Sequence, residues 1–194
     1  MNTTDLFVEL IVIGVGGIIW VAILVLGIFG YDWVPFNQVL SLPSLLPILA
    51  ITYIFGIVTD RLADELFDKI WKPALAQRVY AKDGDDYDDR RYIYLRSERL
   101  ANLLEYGRSR LRICRGWTLN TLLILISLNL FIQRQVTASS TKLTMFVFSN
   151  VFLILLTYGL WFSWRQLALA DYRKVKRQSA WLKSHTSAES DSDQ

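Results

Sequence analysis

A run of apolar residues from Leu6 to Gly30, LFVELIVIGVGGIIWVAILVLGIFG, constrains this chain more than any other feature. Its one charged residue is Glu9. Because an α-helix rises 1.5 Å per residue, a run of this length can cross a hydrocarbon core of roughly 30 Å. Backbone polar groups inside a bilayer must be paired within the segment, which favours a helix. The run therefore predicts a membrane span at about 6–30.

Three further apolar runs predict spans at about 39–58, 117–132 and 143–164. The first of these has Pro43 and Pro47 near its start, where proline costs a helix little. Its strongest apolar stretch is short, so a re-entrant segment is the alternative to a full span. Hydrophobic letters make up 53% of the 194 residues, more than an ordinary soluble domain carries. We predict an all-α integral membrane protein with four transmembrane helices.

The distribution of lysine and arginine predicts the orientation of the spans. Almost all of these residues lie between the second and third spans or after the fourth, and only Arg134 and Lys142 lie elsewhere. Short segments rich in lysine and arginine stay on the cytoplasmic side. We therefore expect both termini in the cytoplasm, with the chain in the inner (plasma) membrane of a bacterium. The formal net charge of +3 has the same explanation.

These boundaries divide the chain into five parts. A first transmembrane pair occupies 1–58, a cytoplasmic region 59–116 and a second transmembrane pair 117–164. A cytoplasmic helix is predicted at 165–183 and a disordered tail at 184–194, where serine and acidic residues predominate. The region between the two pairs is too short for a large independent catalytic domain.

Two amphipathic stretches predict that 59–116 forms a helical stalk below the membrane. The first continues the second span as far as Pro73, with an apolar stripe at Leu62, Leu66 and Ile70. The second covers 91–115 and also has apolar residues at helical intervals. Because each stripe needs a partner, we expect the two stretches to pack together as an antiparallel pair.

The acidic run DGDDYDD at 83–89 separates these two stretches. A calcium loop of the EF-hand type needs ligands at alternate positions, then a turn glycine and a later glutamate. Tyr87 interrupts that alternation, and Gly84 falls in the wrong place. The run predicts a solvated acidic turn without a metal.

The run RSRLRICRGW at 108–117 places Arg108, Arg112 and Arg115 on one helical face, at the inner end of the third span. Guanidinium groups at that depth bind anionic lipid headgroups of the inner leaflet, and the same geometry suits an acidic protein or an anionic small molecule. Nucleic acid is disfavoured, because base stacking needs exposed aromatic rings interleaved with the arginines. We expect these arginines to contact the membrane surface, and contact with an acidic protein or an anionic small molecule is the alternative.

Polar groups inside the spans are costly unless they are paired. We expect Glu9, near the inner boundary of the first span, to form an ion pair with an arginine of the stalk. Asn129 and Asn150 lie at similar depth in neighbouring antiparallel spans. Both amides should face the bundle interior or an oligomer axis, where they form interhelical hydrogen bonds or, alternatively, line a pore.

Small residues mark one part of the first span. Gly14, Gly16 and Gly17 form a patch that another helix can approach closely, although their spacing is not GxxxG. Packing within the chain and self-association are the two interpretations of this patch.

No residue pattern typical of catalysis occurs in the sequence. Cys114 and His185 are the only members of their residue types, which excludes an intrachain disulfide and a Cys/His zinc cluster. Neither a Ser–His–Asp set nor a phosphate-binding glycine loop is present. We expect no enzymatic activity and no cofactor.

The sequence predicts a non-catalytic, self-associating membrane scaffold or sensor subunit, whose basic stalk recruits or signals to a soluble partner. The architecture alone is similar to small membrane subunits of bacterial sensing and defence systems. An oligomeric ion channel or membrane-permeabilising effector is the alternative, because of the depth-matched asparagines and the glycines of the first span.

Overall fold

The computed structural model describes residues 3–35, 42–80 and 85–192, and within these ranges every regular element is an α-helix. In chain order the helices are α1 (Thr3–Phe29), α2 (Leu42–Ile70), α3 (Lys72–Tyr80), α4 (Asp86–Arg96), α5 (Glu98–Gln135) and α6 (Ser139–Ser192). Four of them, α1, α2, α5 and α6, are long and apolar enough to cross a membrane. The prediction of an all-α chain with four such helices is confirmed, although residues 39–41 of the second span lie outside the described ranges.

Glycine brings the backbones of α1 and α2 into direct contact. A Cβ atom on Gly14 would lie 1.8 Å from the carbonyl oxygen of Thr52, and one on Gly56 would lie 1.9 Å from the carbonyl oxygen of Leu10. These contacts pair an early residue of α1 with a late residue of α2, so the two helices run antiparallel. No residue with a side chain fits at either glycine without separating the helices.

Helix α1 also packs along α5, and here the two helices run parallel. A Cβ atom on Gly16 would lie 2.5 Å from Nδ2 of Asn120, and one on Gly27 would lie 3.1 Å from Cα of Phe131. Helix α1 therefore lies between α2 and α5 and contacts both along its length.

Helices α5 and α6 form a long antiparallel pair connected by residues 136–138. Thr121 lies opposite Thr157, and Asn129 lies opposite Asn150. Both helices continue beyond the predicted spans. The fourth span and the predicted helix at 165–183 therefore belong to one uninterrupted helix, α6.

Outside the predicted spans, the last part of α2, all of α3 and α4, the first part of α5 and the last part of α6 form what we call the extramembrane bundle. Two clusters of buried side chains, both with members on α6, make up its core. The first contains Phe67, Leu75, Tyr80, Trp164, Ala168 and Tyr172, and the second contains Ile93, Leu104 and Val175. Helix α6 is therefore the element around which the others pack.

The predicted antiparallel contact between the two stalk stretches forms in part. Phe67 belongs to a buried cluster against which Leu111 and Cys114 of the second stretch pack, whereas Leu62, Leu66 and Ile70 are exposed within the chain. That stretch is itself two helices, and Ser97 caps both of them. Its backbone N–H donates to the carbonyl oxygen of Ile93 at the end of α4, and its hydroxyl accepts a hydrogen bond from the N–H of Leu100 at the start of α5. The break lets α4 pack on α6 as well as on α5.

Part of the predicted acidic turn at 83–89 is helical. Helix α4 begins at Asp86, and the carboxylate of Asp85 accepts a hydrogen bond from the N–H of Tyr87 at 3.2 Å. Carboxylates are stabilised in the first turn of a helix by the positive end of its dipole, so an acidic run suits a helix start. Residues 81–84 lie outside the described ranges.

Helix α6 continues to Ser192, whereas the sequence predicts disorder over 184–194. Extending an existing helix adds one hydrogen bond per residue and needs no new nucleus, so polar residues can follow a packed helix without a core of their own. Residues 193–194 lie outside the described ranges.

We predict that replacing Gly56 by Ala destabilises the protein by about 1–3 kcal/mol, the usual cost of overpacking, because the new methyl group overlaps the Leu10 carbonyl. Gly159→Ala is the matched control, since a Cβ atom at Gly159 has no neighbour within 4 Å. Unfolding titrations in mixed micelles with sodium dodecyl sulfate measure both variants. Equal stability of the two would contradict the crossing of α1 and α2.

Candidate functional site

Two arginines of α5 bind carboxylates of α1 and α2 at the end of the predicted spans. Arg112 Nη1 lies 3.1 Å from Glu9 Oε2, and Arg112 Nε lies 3.7 Å from Asp60 Oδ2. Arg115 Nη2 donates to Asp60 Oδ1 at 3.0 Å, and its Nη1 donates to Asp64. We call these five residues the arginine cluster. It joins three helices.

The arginine cluster is mostly withdrawn from solvent. The side chain of Arg115 is 12% exposed, that of Asp60 10% and that of Glu9 7%. Charges in such surroundings interact strongly, and each depends on its partner because the cost of desolvation has already been incurred. The cluster therefore fixes how α1, α2 and α5 sit relative to one another.

This arrangement changes the interpretation of the arginine run. The expected ion pair of Glu9 is formed by Arg112. Carboxylates of α1 and α2 bind the guanidinium groups of Arg112 and Arg115 within the chain, and the contact of these arginines with the membrane surface stays a prediction. Arg108 is exposed, and its guanidinium lies 5.7 Å from the centre of the Tyr94 ring.

A cavity of about 350 Å³ opens beside the arginine cluster, and its walls come from α2, α3, α4, α5 and α6. Its charged lining residues are Asp64, Asp68, Lys72, Asp86, Arg90, Arg108, Arg112, Arg115 and Asp171. Most of these charges already have partners in the chain. A polar ligand would have to displace those ion pairs in order to bind.

Arg90 shows how strongly the charges of this cavity are paired. Its Nη2 lies 2.7 Å from Asp171 Oδ2, and its Nε lies 2.9 Å from Asp86 Oδ1. Burial lowers the pKa of Arg90, but the two carboxylates outweigh burial and hold that pKa above its ordinary value. Arg90 thus joins α4 to α6 as a permanently charged group.

The two predicted asparagines form a reciprocal pair between α5 and α6. Asn129 Nδ2 donates to Asn150 Oδ1 at 3.1 Å, and Asn150 Nδ2 donates to Asn129 Oδ1 at 2.7 Å. Asn150 Nδ2 also lies 2.7 Å from the carbonyl oxygen of Phe146. Each amide therefore satisfies the other inside the apolar part of the chain.

Sequence reasoning did not single out Asn120, which is more deeply buried than either member of that pair. Asn120 is 0% exposed and donates to the carbonyl oxygen of Ile13 at 2.7 Å. Gly16 leaves the room that this amide needs on α1. An asparagine only five residues after Arg115, the last arginine of the run, was the available signal.

The sequence analysis also did not identify Asp60 and Asp64 as the partners of Arg112 and Arg115. They are one helical turn apart on α2, and Arg112 and Arg115 are nearly one turn apart on α5. This matched spacing is visible in the sequence. It identifies the aspartates as partners of the arginines only once α2 and α5 are known to lie antiparallel and in contact.

The glycine patch of α1 is used within the chain. Gly14 contacts α2, Gly16 contacts α5, and a Cβ atom on Gly17 would lie 3.0 Å from Cβ of Phe55. Close packing inside one copy therefore accounts for all three glycines, and they form no free face for a second copy.

The site shows no arrangement typical of a metal centre, since no group of three His, Cys, Asp or Glu side chains within the described ranges could hold a metal ion. Comparison of the chain with protein-family models, with curated proteins and with solved structures finds no match.

We predict that Arg115→Leu lowers the free energy of unfolding by about 3 kcal/mol, because it leaves the buried carboxylate of Asp60 without its closest cation. Arg110→Leu is the matched control, because Arg110 is exposed and donates to the hydroxyl of Tyr106 within the same helix. That control should change stability by no more than about 0.5 kcal/mol. Equal losses for the two variants, measured by unfolding in mixed micelles, would contradict the bracing role of the arginine cluster.

We predict that Asn129→Leu costs about 1 kcal/mol, because it leaves the Asn150 amide short of a partner in apolar surroundings. The double variant N129L/N150L should recover much of that loss, since removing both polar partners removes the unsatisfied group. A double-mutant cycle in the same micelles measures the coupling. Strictly additive losses would show that the two amides do not bind each other.

Proposed function

We propose that this chain is a non-catalytic membrane adaptor, whose extramembrane bundle recruits a soluble protein with acidic and apolar groups on its surface. The observation that carries the proposal is a row of large exposed side chains on α4 and α5. Tyr87 is 69% exposed, Leu95 75% and Tyr106 62%. All three precede the apolar part of α5, so a bilayer around the spans would not cover them.

These residues belong to what we call the outward face. On α5 its members follow one another at intervals of three or four residues, and on α4 Tyr94 and Leu95 lie three and four residues after Arg91, so the members share one side of each helix. The outward face consists of Tyr87, Arg91, Tyr94, Leu95, Arg99, Leu103, Tyr106 and Arg110, all of them exposed.

The chemistry of the outward face suits an acidic partner. Arg91 and Arg99 form no ion pair with a carboxylate of the described residues, in contrast to Arg112 and Arg115. The guanidinium of Arg110 lies 4.8 Å from the centre of the Tyr106 ring, which holds an arginine and a tyrosine together at the surface. Tyrosine and arginine are the residue types that most often dominate protein interfaces.

The membrane part of the proposal places the bundle in the cytoplasm, with both termini there, and the spans in a bacterial inner membrane. The segregation of lysine and arginine supports this orientation. We also propose self-association through α6, because only 6% of its apolar window is buried within the chain. The rest of that apolar surface can be covered either by lipid or by a second copy of the chain.

An oligomeric channel is the second interpretation that the sequence left open. A pore needs polar groups that can face water, whereas Asn129 and Asn150 bind each other. This pairing supports the adaptor proposal over the channel, because the two amides are occupied with each other. Conductance in planar bilayers that disappears in N129L/N150L would favour the channel instead.

The adaptor proposal predicts that a photo-crosslinking amino acid at Leu103 captures a soluble protein in intact cells. Reversing charge with R91E/R99E should weaken this capture several-fold, because an acidic partner loses its cations. R173E/R177E is the control, since it makes the same charge change on exposed arginines of α6 beside α3.

Two outcomes of that experiment would contradict the proposal. Capture of lipid alone would mean that the outward face lies on the membrane. Capture of a second copy alone would mean that the face is an interface between copies of this chain.

A further inference from the structure

An apolar groove of about 410 Å³ runs along α5 between α2 and α6. Leu122, Leu125 and Ile154 line the part that lies within the predicted third and fourth spans. Trp71 and Trp161 line it near the end of those spans. The groove is therefore an apolar slot that opens to the side of the helices and ends in a pair of tryptophans.

The same two tryptophans line a second recess of about 300 Å³, which continues the groove beyond the spans. Arg78 of α3 and Arg165 of α6 also line this recess, and no acidic side chain of the described residues does. The Arg165 guanidinium lies 5.8 Å from the centre of the Trp161 ring. Unlike the cavity beside the arginine cluster, this recess presents cations without paired carboxylates.

Trp161, which lines both the groove and the recess, carries an unsatisfied donor. The Nε1–H of Trp161 is buried and has no hydrogen-bond acceptor among the described residues. Buried donors of this kind nearly always have a partner in a native structure.

We propose that the groove and the recess together bind one anionic phospholipid. An acyl chain lies between α2 and α6, and the phosphate lies between Arg78 and Arg165, where guanidinium groups form charge-assisted hydrogen bonds. Trp71 and Trp161 mark the level of the headgroup, as tryptophans do at membrane interfaces.

This site differs from the lipid contact that the sequence predicts for Arg108, Arg112 and Arg115. A lipid phosphate needs cations with free donors, and the carboxylates of the arginine cluster already bind Arg112 and Arg115. Arg78 and Arg165 meet this need next to an apolar slot. The proposal requires the membrane orientation but not the recruitment of a soluble partner.

Native mass spectrometry of the full chain, released from nanodiscs with equal phosphatidylglycerol and phosphatidylcholine, tests the proposal. The wild-type chain should retain one phosphatidylglycerol in preference to phosphatidylcholine. R78Q/R165Q should bind phosphatidylglycerol about a hundredfold more weakly, since each of the two lost charge-assisted hydrogen bonds accounts for about a factor of ten. R91Q/R99Q, which removes two exposed arginines of the outward face, should bind like the wild type.

A second variant tests the acyl-chain part independently of the arginines. Leu122→Trp fills the groove and leaves every cation in place, so it should also lose the retained phospholipid. Circular dichroism confirms that each variant is folded. Because Leu122 is 44% exposed in the chain, its substitution does not disturb a packed core.

Three results would overturn the proposal. In the first, R78Q/R165Q and Leu122→Trp both retain phosphatidylglycerol as the wild type does. In the second, R91Q/R99Q loses the lipid equally, which would indicate general charge attraction. In the third, inorganic phosphate displaces the lipid as effectively as free phosphatidylglycerol, which would assign the recess to a soluble anion.

Discussion

The ion pairs between Arg112 and Arg115 of α5 and the carboxylates of α1 and α2 are the interaction on which the rest of the structure depends. They hold the ends of three helices together where the apolar spans finish. With those ends fixed, α1 lies close enough to α2 for their backbones to touch at Gly14 and Gly56. The same constraint sets the position of α5, along which α6 packs over both the spans and the bundle.

The arginines of this chain therefore divide into two groups by their partners. Those of the arginine cluster, together with Arg90, bind carboxylates inside the chain and join helices. Arg91 and Arg99 on the outward face, and Arg78 beside α6, have no such carboxylate within the described ranges. The first group supports the fold, and the second is free for partners outside the chain. This division is the basis for the functional proposals.

Much of the fold was predictable because membrane spans obey a simple requirement. A segment that must satisfy its own backbone hydrogen bonds in a bilayer shows this in its length and apolarity, and α1 illustrates the point. The pairing of Asn129 with Asn150 also followed from depth, since a short connection makes α5 and α6 antiparallel neighbours.

The partner choices of the arginine run were not predictable in the same way. Helical spacing shows that Arg112 and Arg115 share a face, but it does not show which helix lies opposite that face. Asp60 and Asp64 become their partners only through the three-dimensional contact of α2 with α5. The break at Ser97, which sends α4 onto α6, likewise arises from one capping residue inside an otherwise helical pattern.

The division of the arginines can be measured directly by their reactivity. Brief treatment of the reconstituted chain with an arginine-specific dicarbonyl reagent, read residue by residue by mass spectrometry, compares all of them in one sample. Arg112 and Arg115 should react several-fold more slowly than Arg91 and Arg99, because carboxylates of α1 and α2 hold their guanidinium groups. If Arg112 and Arg115 react as fast as Arg91 and Arg99, the arginine cluster does not hold α1, α2 and α5 together.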